Sequence, residues 1–230
     1  MKFKSPILTQ VSGSIGGATY SHNRGGLYVR ARAIPTDPGS SFQIAVRNAM
    51  STLTTRWKST LTAANRAAWD TYALNTPVTD KFGDSILLSG QQHFIRSNLP
   101  RLQAGASIVD AGPTTYGLGS LNAVTLTATE SSPIYSLAYD DTEAWCDEDD
   151  SHMLMYVSRP VSPTVNYFKG PFRFVAKEDG DSVTPPTSPF TTLLVPFTFV
   201  EDMVEFTRVQ VSRADGRLSP SQIVSDVTGS

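Results

Sequence analysis

Gln103-Ala104-Gly105-Ala106-Ser107-Ile108-Val109-Asp110-Ala111-Gly112-Pro113-Thr114-Thr115-Tyr116-Gly117-Leu118-Gly119-Ser120 is the stretch on which the reading of this chain turns. Glycine and proline recur too often here for a regular helix or strand to cross it, so it reads as a linker. Upstream, apolar residues recur at helical spacing. Downstream, they come in short runs between Pro, Gly and Ser. The charge changes at the same place: residues 1–110 hold 12 of the 19 Lys and Arg but 5 of the 21 Asp and Glu. A net charge of -2 therefore conceals a half near +7 and a half near -9. Such a chain reads as an attachment piece joined to a displayed domain, with no single pocket at its centre.

Immediately upstream lie helices. Ser40 or Ser41 is placed to cap the first, along which Phe42, Val46, Ala49/Met50, Leu53 and Trp57 recur every three or four residues. Thr62 is a strong N-cap for a second, with Leu61, Ala68/Trp69, Tyr72 and Ala73 as its apolar face, ended by Asn75-Thr76-Pro77. Together they read as a helical hairpin. Ser89 opens a third helix carrying Phe94, Ile95 and Leu99, which Pro100 should kink or end.

Further upstream, residues 1–37 read as an extended arm. Ser12-Gly13-Ser14-Ile15-Gly16-Gly17 disfavours a helix, while Ala18-Thr19-Tyr20 and Leu27-Tyr28-Val29-Arg30-Ala31-Arg32 have strand composition, with a turn at Ser21–Gly26. Tyr28, Arg30 and Arg32 alternate with Leu27, Val29 and Ala31, so the second strand has one polar and one apolar face. An isolated hairpin is marginal in water, so this arm needs a surface to lie on.

Downstream of the linker, strands are expected at Ala123–Thr129, Ile134–Asp140, Met153–Ser158, Phe172–Lys177, Thr191–Phe199, Val204–Ser212 and Gln222–Val227. Alternation is clearest in Val124/Leu126/Ala128 and Phe206/Val209/Val211, and Tyr135 and Trp145 are candidate core aromatics. Seven short strands over residues 121–230 are the signature of an immunoglobulin- or fibronectin III-like sandwich. The expected class is thus α+β: an arm (1–37), a helical segment (38–102), a linker (103–120) and a β-sandwich (121–230).

Catalytic and metal constellations find little support. His22, His93 and His152 lie in separate segments without HxH or HExxH spacing. Cys146, the single cysteine, is followed by Asp147, Glu148, Asp149 and Asp150, which oppose a thiolate. The cluster Asp140-Asp141-Thr142-Glu143 with Asp147–Asp150 invites a calcium reading but lacks the EF-hand pattern, so a solvated loop is preferred. Gly13–Gly17 lacks the Lys and Ser/Thr of a phosphate loop. No cofactor and no metal is expected. Arg24, Arg30, Arg32, Arg47, Arg56, Arg66 and Arg96 are dispersed, so protein surfaces, including a neighbouring copy, are preferred over nucleic acid as partners. Pro6, Gln10 and Ser12-Gly13-Ser14 interrupt the opening Met1-Lys2-Phe3-Lys4 before a signal-peptide core can form. The longest apolar run, Leu193–Val200, is too short to span a membrane. A soluble protein made in the cytosol is expected.

The stretch from Ser12 through Gly16-Gly17, Thr19-Tyr20-Ser21 and Asn23-Arg24-Gly25-Gly26 to Tyr28-Val29-Arg30 resembles the opening of a family of tailed-bacteriophage structural proteins. The similarity continues through Pro35-Thr36-Asp37-Pro38, Trp57 with Leu61-Thr62, Arg66-Ala67-Ala68-Trp69 with Tyr72-Ala73, and Leu88-Ser89-Gly90 with Phe94-Ile95-Arg96 and Asn98. In the second half Tyr156–Pro160 and Lys169–Arg173 look like the family's β-sandwich. The resemblance implies a virion component, multicopy and bound to other virion proteins of capsid, neck or tail, and supplies no functional residues. The expected role is a non-enzymatic, capsid-decorating or stabilising protein. Tyr20, Arg24, Tyr28, Arg30 and Arg32 are its attachment candidates, because aromatics and Arg dominate contact energetics. The alternatives are a head–tail connector or tail protein, a receptor- or carbohydrate-binding module using Tyr135, Trp145, Tyr156 and Tyr167, and, ranked below these, a hydrolase with unrecognised carboxylates.

Overall fold

The computed structural model describes residues 12–80, 82–131, 133–192 and 196–229. Met1–Lys4 and Leu193–Val195, which entered the signal-peptide and membrane readings, lie outside these. Among the described residues no helix is long and apolar enough to cross a membrane. The chain is mixed α+β and divides into two compact units at Ser41/Phe42.

The first unit is an antiparallel three-stranded meander: β1 (Gly13–Ile15), β2 (Ala18–Asn23) and β3 (Gly26–Ala31). The expected hairpin is longer and tighter than its composition indicated. Its strands run to Asn23 and from Gly26, leaving Arg24-Gly25 as a two-residue loop. Asn23 Oδ1 takes the Gly25 N–H at 2.8 Å, and Gly26 turns at φ +104°, where glycine carries no Cβ penalty. β1 is an addition: Gly16-Gly17 makes a second two-residue turn, so three residues of the glycine-rich run pair with β2.

The described helices belong to the second unit, the first of them opening at the boundary residue Ser41. α1 (Ser41–Ser59) presents the expected face, but only Leu53 is buried and Trp57 half-buried, while Phe42 and Met50 stay exposed. Helical periodicity identifies a face without saying what lies against it. α2 (Ala63–Asn75) starts where Thr62 Oγ1 accepts the Asn65 N–H at 3.2 Å. α3 (Gly90–Gln103) opens with a reciprocal capping box between Ser89 and Gln92. It continues through Pro100, which withholds the N–H that the Arg96 carbonyl would otherwise accept. Trp69 and Trp57 each lie 5.6 Å from Phe94, and with Leu53, Leu61 and Tyr72 they form the helical core.

Residues 103–120 are held against these helices. Arg56 forks onto both oxygens of Asp110 at 2.6 and 2.7 Å, and Trp69 Nε1 donates to the Asp110 carbonyl at 3.0 Å. Asn98 brackets Val109, accepting its N–H and donating to its carbonyl. A Cβ on Gly112 would come within 2.6 Å of the backbone of Ala68 and Trp69, so this glycine permits a close approach of segment to helix.

Two small strands, β4 (Val78–Thr79) and β5 (Ser85–Ile86), join α2 to α3. The remaining seven form two antiparallel sheets. β6 (Thr125–Thr129), β7 (Ile134–Ala138) and β10 (Phe190–Thr192) make one, in the order β10-β7-β6. β8 (His152–Val157), β9 (Arg173–Asp179), β11 (Val204–Ser212) and β12 (Gln222–Val227) make the other, in the order β12-β11-β8-β9. β11 and β12 match the expected spans. Of the run expected at 191–199, Thr191 and Thr192 are strand together with Phe190, residues 193–195 lie outside the described residues, and residues 196–199 are irregular. Leu126, Ala128, Tyr135 and Leu137 of the first sheet share one core with Met153, Met155, Val209 and Val211 of the second.

β11 corrects one detail. Phe206 does not share a face with Val209 and Val211; it stacks on Phe168, centroids 5.8 Å apart. The positions alternating with it are Glu205, Thr207, Val209 and Val211, all buried. Nearly every residue of β11 is buried, because it is central in its sheet and covered on both faces.

Candidate functional site

The attachment candidates all lie in the meander. The register places Ile15, Ala18, Tyr20, Leu27 and Val29, with His22 at the strand end, on one face and Ser14, Thr19, Ser21, Tyr28 and Arg30 on the other. Tyr28 and Arg30 therefore share a face with hydroxyls, and Tyr20 sits among aliphatic residues on the opposite one. Arg24 is at the tip of the β2–β3 turn. Arg32 follows β3, its N–H donating to the Gly17 carbonyl at 2.8 Å. No described residue from 12 to 41 is buried. Among the described residues the meander thus has one mainly apolar and one basic, hydroxyl-rich face and no buried residue.

The remaining chemical candidates are dispersed. His22 is exposed in the meander. His93 is buried with its ring edge-on to Tyr72 at 5.3 Å; burial, then the Arg96 charge, hold its pKa below the ordinary value. His152 is buried between two carboxylates: its Nδ1 is 2.6 Å from Asp179 Oδ1, and its Nε2 is 3.3 Å from Asp150 Oδ1 without hydrogen-bond alignment.

Burial, then the surrounding acids led by Glu143 and Asp141, push the Cys146 thiol up to about 12. Sequence proximity pointed to Asp147–Asp150, whereas the fold brings Glu143 and Asp141 closer in effect. The native protein is expected not to react with a thiol reagent at pH 8, and to titrate one thiol per chain after unfolding in urea. A native-state reaction of comparable rate would contradict the buried, protonated state.

The acidic cluster is tied into the fold one carboxylate at a time. Asp140 Oδ1 takes the N–H and hydroxyl of Thr142, and Asp141 accepts the Ser188 N–H. Glu143 accepts the Asn122 N–H at 2.6 Å. Glu148 pairs with Arg213, Asp149 takes the Ser182 N–H and hydroxyl, and Asp150 pairs with Arg101. Among the described residues no three His, Cys, Asp or Glu side chains group as a metal site.

Sequence reasoning missed two buried charged residues. Arg101, fully buried at the end of α3, donates to the carbonyls of Ser107, Asp150 and Arg213, the Ser212 hydroxyl and Asp150 Oδ2, at 2.7 to 3.1 Å. It joins helix, acidic loop and β11. Glu205, on the core-facing side of β11, accepts the Tyr135 hydroxyl at 2.5 Å through Oε2, while its Oε1 has no partner. Burial pushes its carboxyl up to about 7, the Tyr135 bond opposing the shift. It is enclosed between the sheets, out of reach of a substrate. Of the four aromatics considered for receptor contact, Tyr135, Trp145 and Tyr156 are buried, and Tyr167 alone is exposed.

No family model matches the chain, and no curated protein matches it. Among solved structures, one described as "Myokine structure" is similar at 18% identity over 49% of this chain and 98% of its own, with a TM-score of 0.31. A family 76 glycoside hydrolase from a bovine Bacteroides thetaiotaomicron strain is similar at 10% identity over 48% of this chain and 21% of its own, with a TM-score of 0.32. Likenesses this low carry no argument about this chain.

Proposed function

We propose that this chain is a non-enzymatic structural component of a tailed-phage virion, made in the host cytoplasm and present in multiple copies. Residues 12–41 attach it to neighbouring virion proteins, and the seven C-terminal strands form a displayed sandwich of immunoglobulin or fibronectin III character. A capsid-decorating or stabilising role fits a protein that is attached at one end and folded at the other. The observation that carries the reading is a separate meander, basic on one face and apolar on the other, with no buried residue. Both hydrophobic clusters lie within residues 42–230, so the larger unit has its own core without the meander. The sequence resemblance and the charge asymmetry point the same way.

Deleting residues 1–40 tests this. The truncated protein is expected to keep its circular dichroism and cooperative unfolding, yet to be lost from purified particles. Truncated protein incorporated at the full-length level would overturn attachment through the meander.

A further inference from the structure

A cavity of about 410 Å³ lies between α2, α3, the β4 corner and the 117–118 and 218–221 segments. Arg96 is its one charged lining residue. Other guanidiniums of the unit are engaged: Arg56 with Asp110, Arg101 with Asp150, Arg213 with Glu148, Arg217 with Asp215. Arg66 donates to the carbonyls of Trp57 and Leu61, and Arg173 and Arg208 lie over aromatic rings. Arg96 is half-buried and has no hydrogen bond or ion pair to any described residue.

The surroundings are polar donors on an apolar frame. Tyr72 and Thr76 line the cavity with Arg96. Thr76 Oγ1 is buried and has no hydrogen-bond partner among the described residues. Leu118, Leu218 and Pro220 supply apolar walls. His93, behind Tyr72, is held toward its neutral form and adds no second charge. Burying a guanidinium costs free energy unless something compensates, and a planar fork of donors suits a carboxylate bidentately.

We propose that this cavity binds a monocarboxylate, with Arg96 holding the carboxylate and Thr76 and Tyr72 offering hydroxyls beside it. One unpaired cation matches one negative charge, which favours a carboxylate over a phosphate dianion. The volume suits a body the size of one sugar or one amino-acid residue. This inference rests on the cavity and is independent of the virion reading.

The test titrates the full chain, at fixed ionic strength, with sodium glucuronate, N-acetylglutamate amide and inorganic phosphate, following the Arg96 Nε–H resonance by NMR. Saturable binding of at least one carboxylate is expected, the two separating a sugar source from a peptide source. In Arg96→Gln the same affinity, read from neighbouring backbone amides, should fall at least about ten-fold. The exposed-site control Arg159→Gln should leave it unchanged. Phosphate, whose second charge would enter the cavity without a partner, should bind at least about ten-fold more weakly than the better carboxylate. Linear shifts with both carboxylates, equal affinity in Arg96→Gln, or phosphate binding as tight as the better carboxylate would overturn the proposal. Should Arg96→Gln not fold, Arg96→Lys keeps the charge and loses the fork; undiminished affinity there also overturns it.

Discussion

Replacing Glu205 by Gln should remove a loss of stability between pH 4.5 and pH 7 that the natural chain undergoes. In the unfolded chain this carboxyl ionises near its ordinary 4.5; in the fold it keeps its proton up to about 7. Below 4.5 both states are protonated and the stability is whole. Between the two values only the unfolded chain releases the proton, so stability falls as pH rises. Above about 7 both are ionised and the loss is complete. The difference amounts to about 3 kcal/mol, a large fraction of a typical domain's stability. The physical cause is desolvation: Oε2 has the Tyr135 hydroxyl, but Oε1 has nothing, and no cation lies among its interactions. The charged group across β12 is Asp226, paired with Glu205 in register, and its carboxylate takes the Ala128 N–H. Gln keeps an acceptor for Tyr135 and cannot ionise. Urea unfolding at half-unit pH steps, natural chain against Glu205→Gln, isolates this group from His152 and the surface acids. The variant should be the more stable by about 3 kcal/mol at pH 8, with the two converging near pH 4. Parallel curves across this range would show that the buried carboxyl is not the group that titrates.

Glu205 also shows what a sequence hides. Its strand is legible from Val204 to Ser212 because β-branched and aromatic residues crowd it. Its inward face is not, since alternation in a strand buried on both sides carries little contrast. Phe206 is the most apolar residue nearby and so draws the reading to the wrong face; the polar Glu205 and Thr207 point inward. Thr62 and Ser89, by contrast, announce their helices within three residues, because an N-cap is a local bond between a side chain and the next turn. The arm is intermediate. Its faces follow from alternation, whereas β1 needs knowledge that a three-residue run of Gly13-Ser14-Ile15 finds a partner in β2. Residues 103–120 read as a linker from glycine content, yet Gly112 serves the packing of that segment on α2. The Arg96 cavity could not be read at all: its walls come from four separated segments.

Arg101→Ala should be the most damaging arginine substitution in the larger unit. Nothing near Arg101 in sequence marks it as buried, since several of its partners lie 49 to 112 residues away. Removing the guanidinium leaves three carbonyls and the Ser212 hydroxyl short of a donor at a buried joint, while the Asp150 carboxylate, whose side chain is 46% exposed, turns to water. A buried acceptor left without its donor costs about 1–3 kcal/mol, and several are stranded together here, whereas the lost ion pair adds little because its carboxylate is solvated. Asp150 adds to this. Its backbone sits at φ +61°, which a non-glycine residue adopts at a cost of about 1–2 kcal/mol, and its side chain is fixed there by Arg101 and Ser107. Arg101→Lys keeps the charge but presents one nitrogen to acceptors spread around a planar fork, so an intermediate loss is expected. Arg56→Ala removes a bidentate pair with Asp110 that is about one-third exposed, and should cost no more than about 1 kcal/mol. Equilibrium urea unfolding of the three variants gives the order. Hydrogen exchange supplies the second readout, with amides of residues 140–151 and the end of β11 losing protection in Arg101→Ala before those of β6 and β7. Were Arg101→Ala and Arg56→Ala equally mild, the α3 end and the acidic loop would be held by packing alone, and the buried guanidinium would be a passenger in that joint.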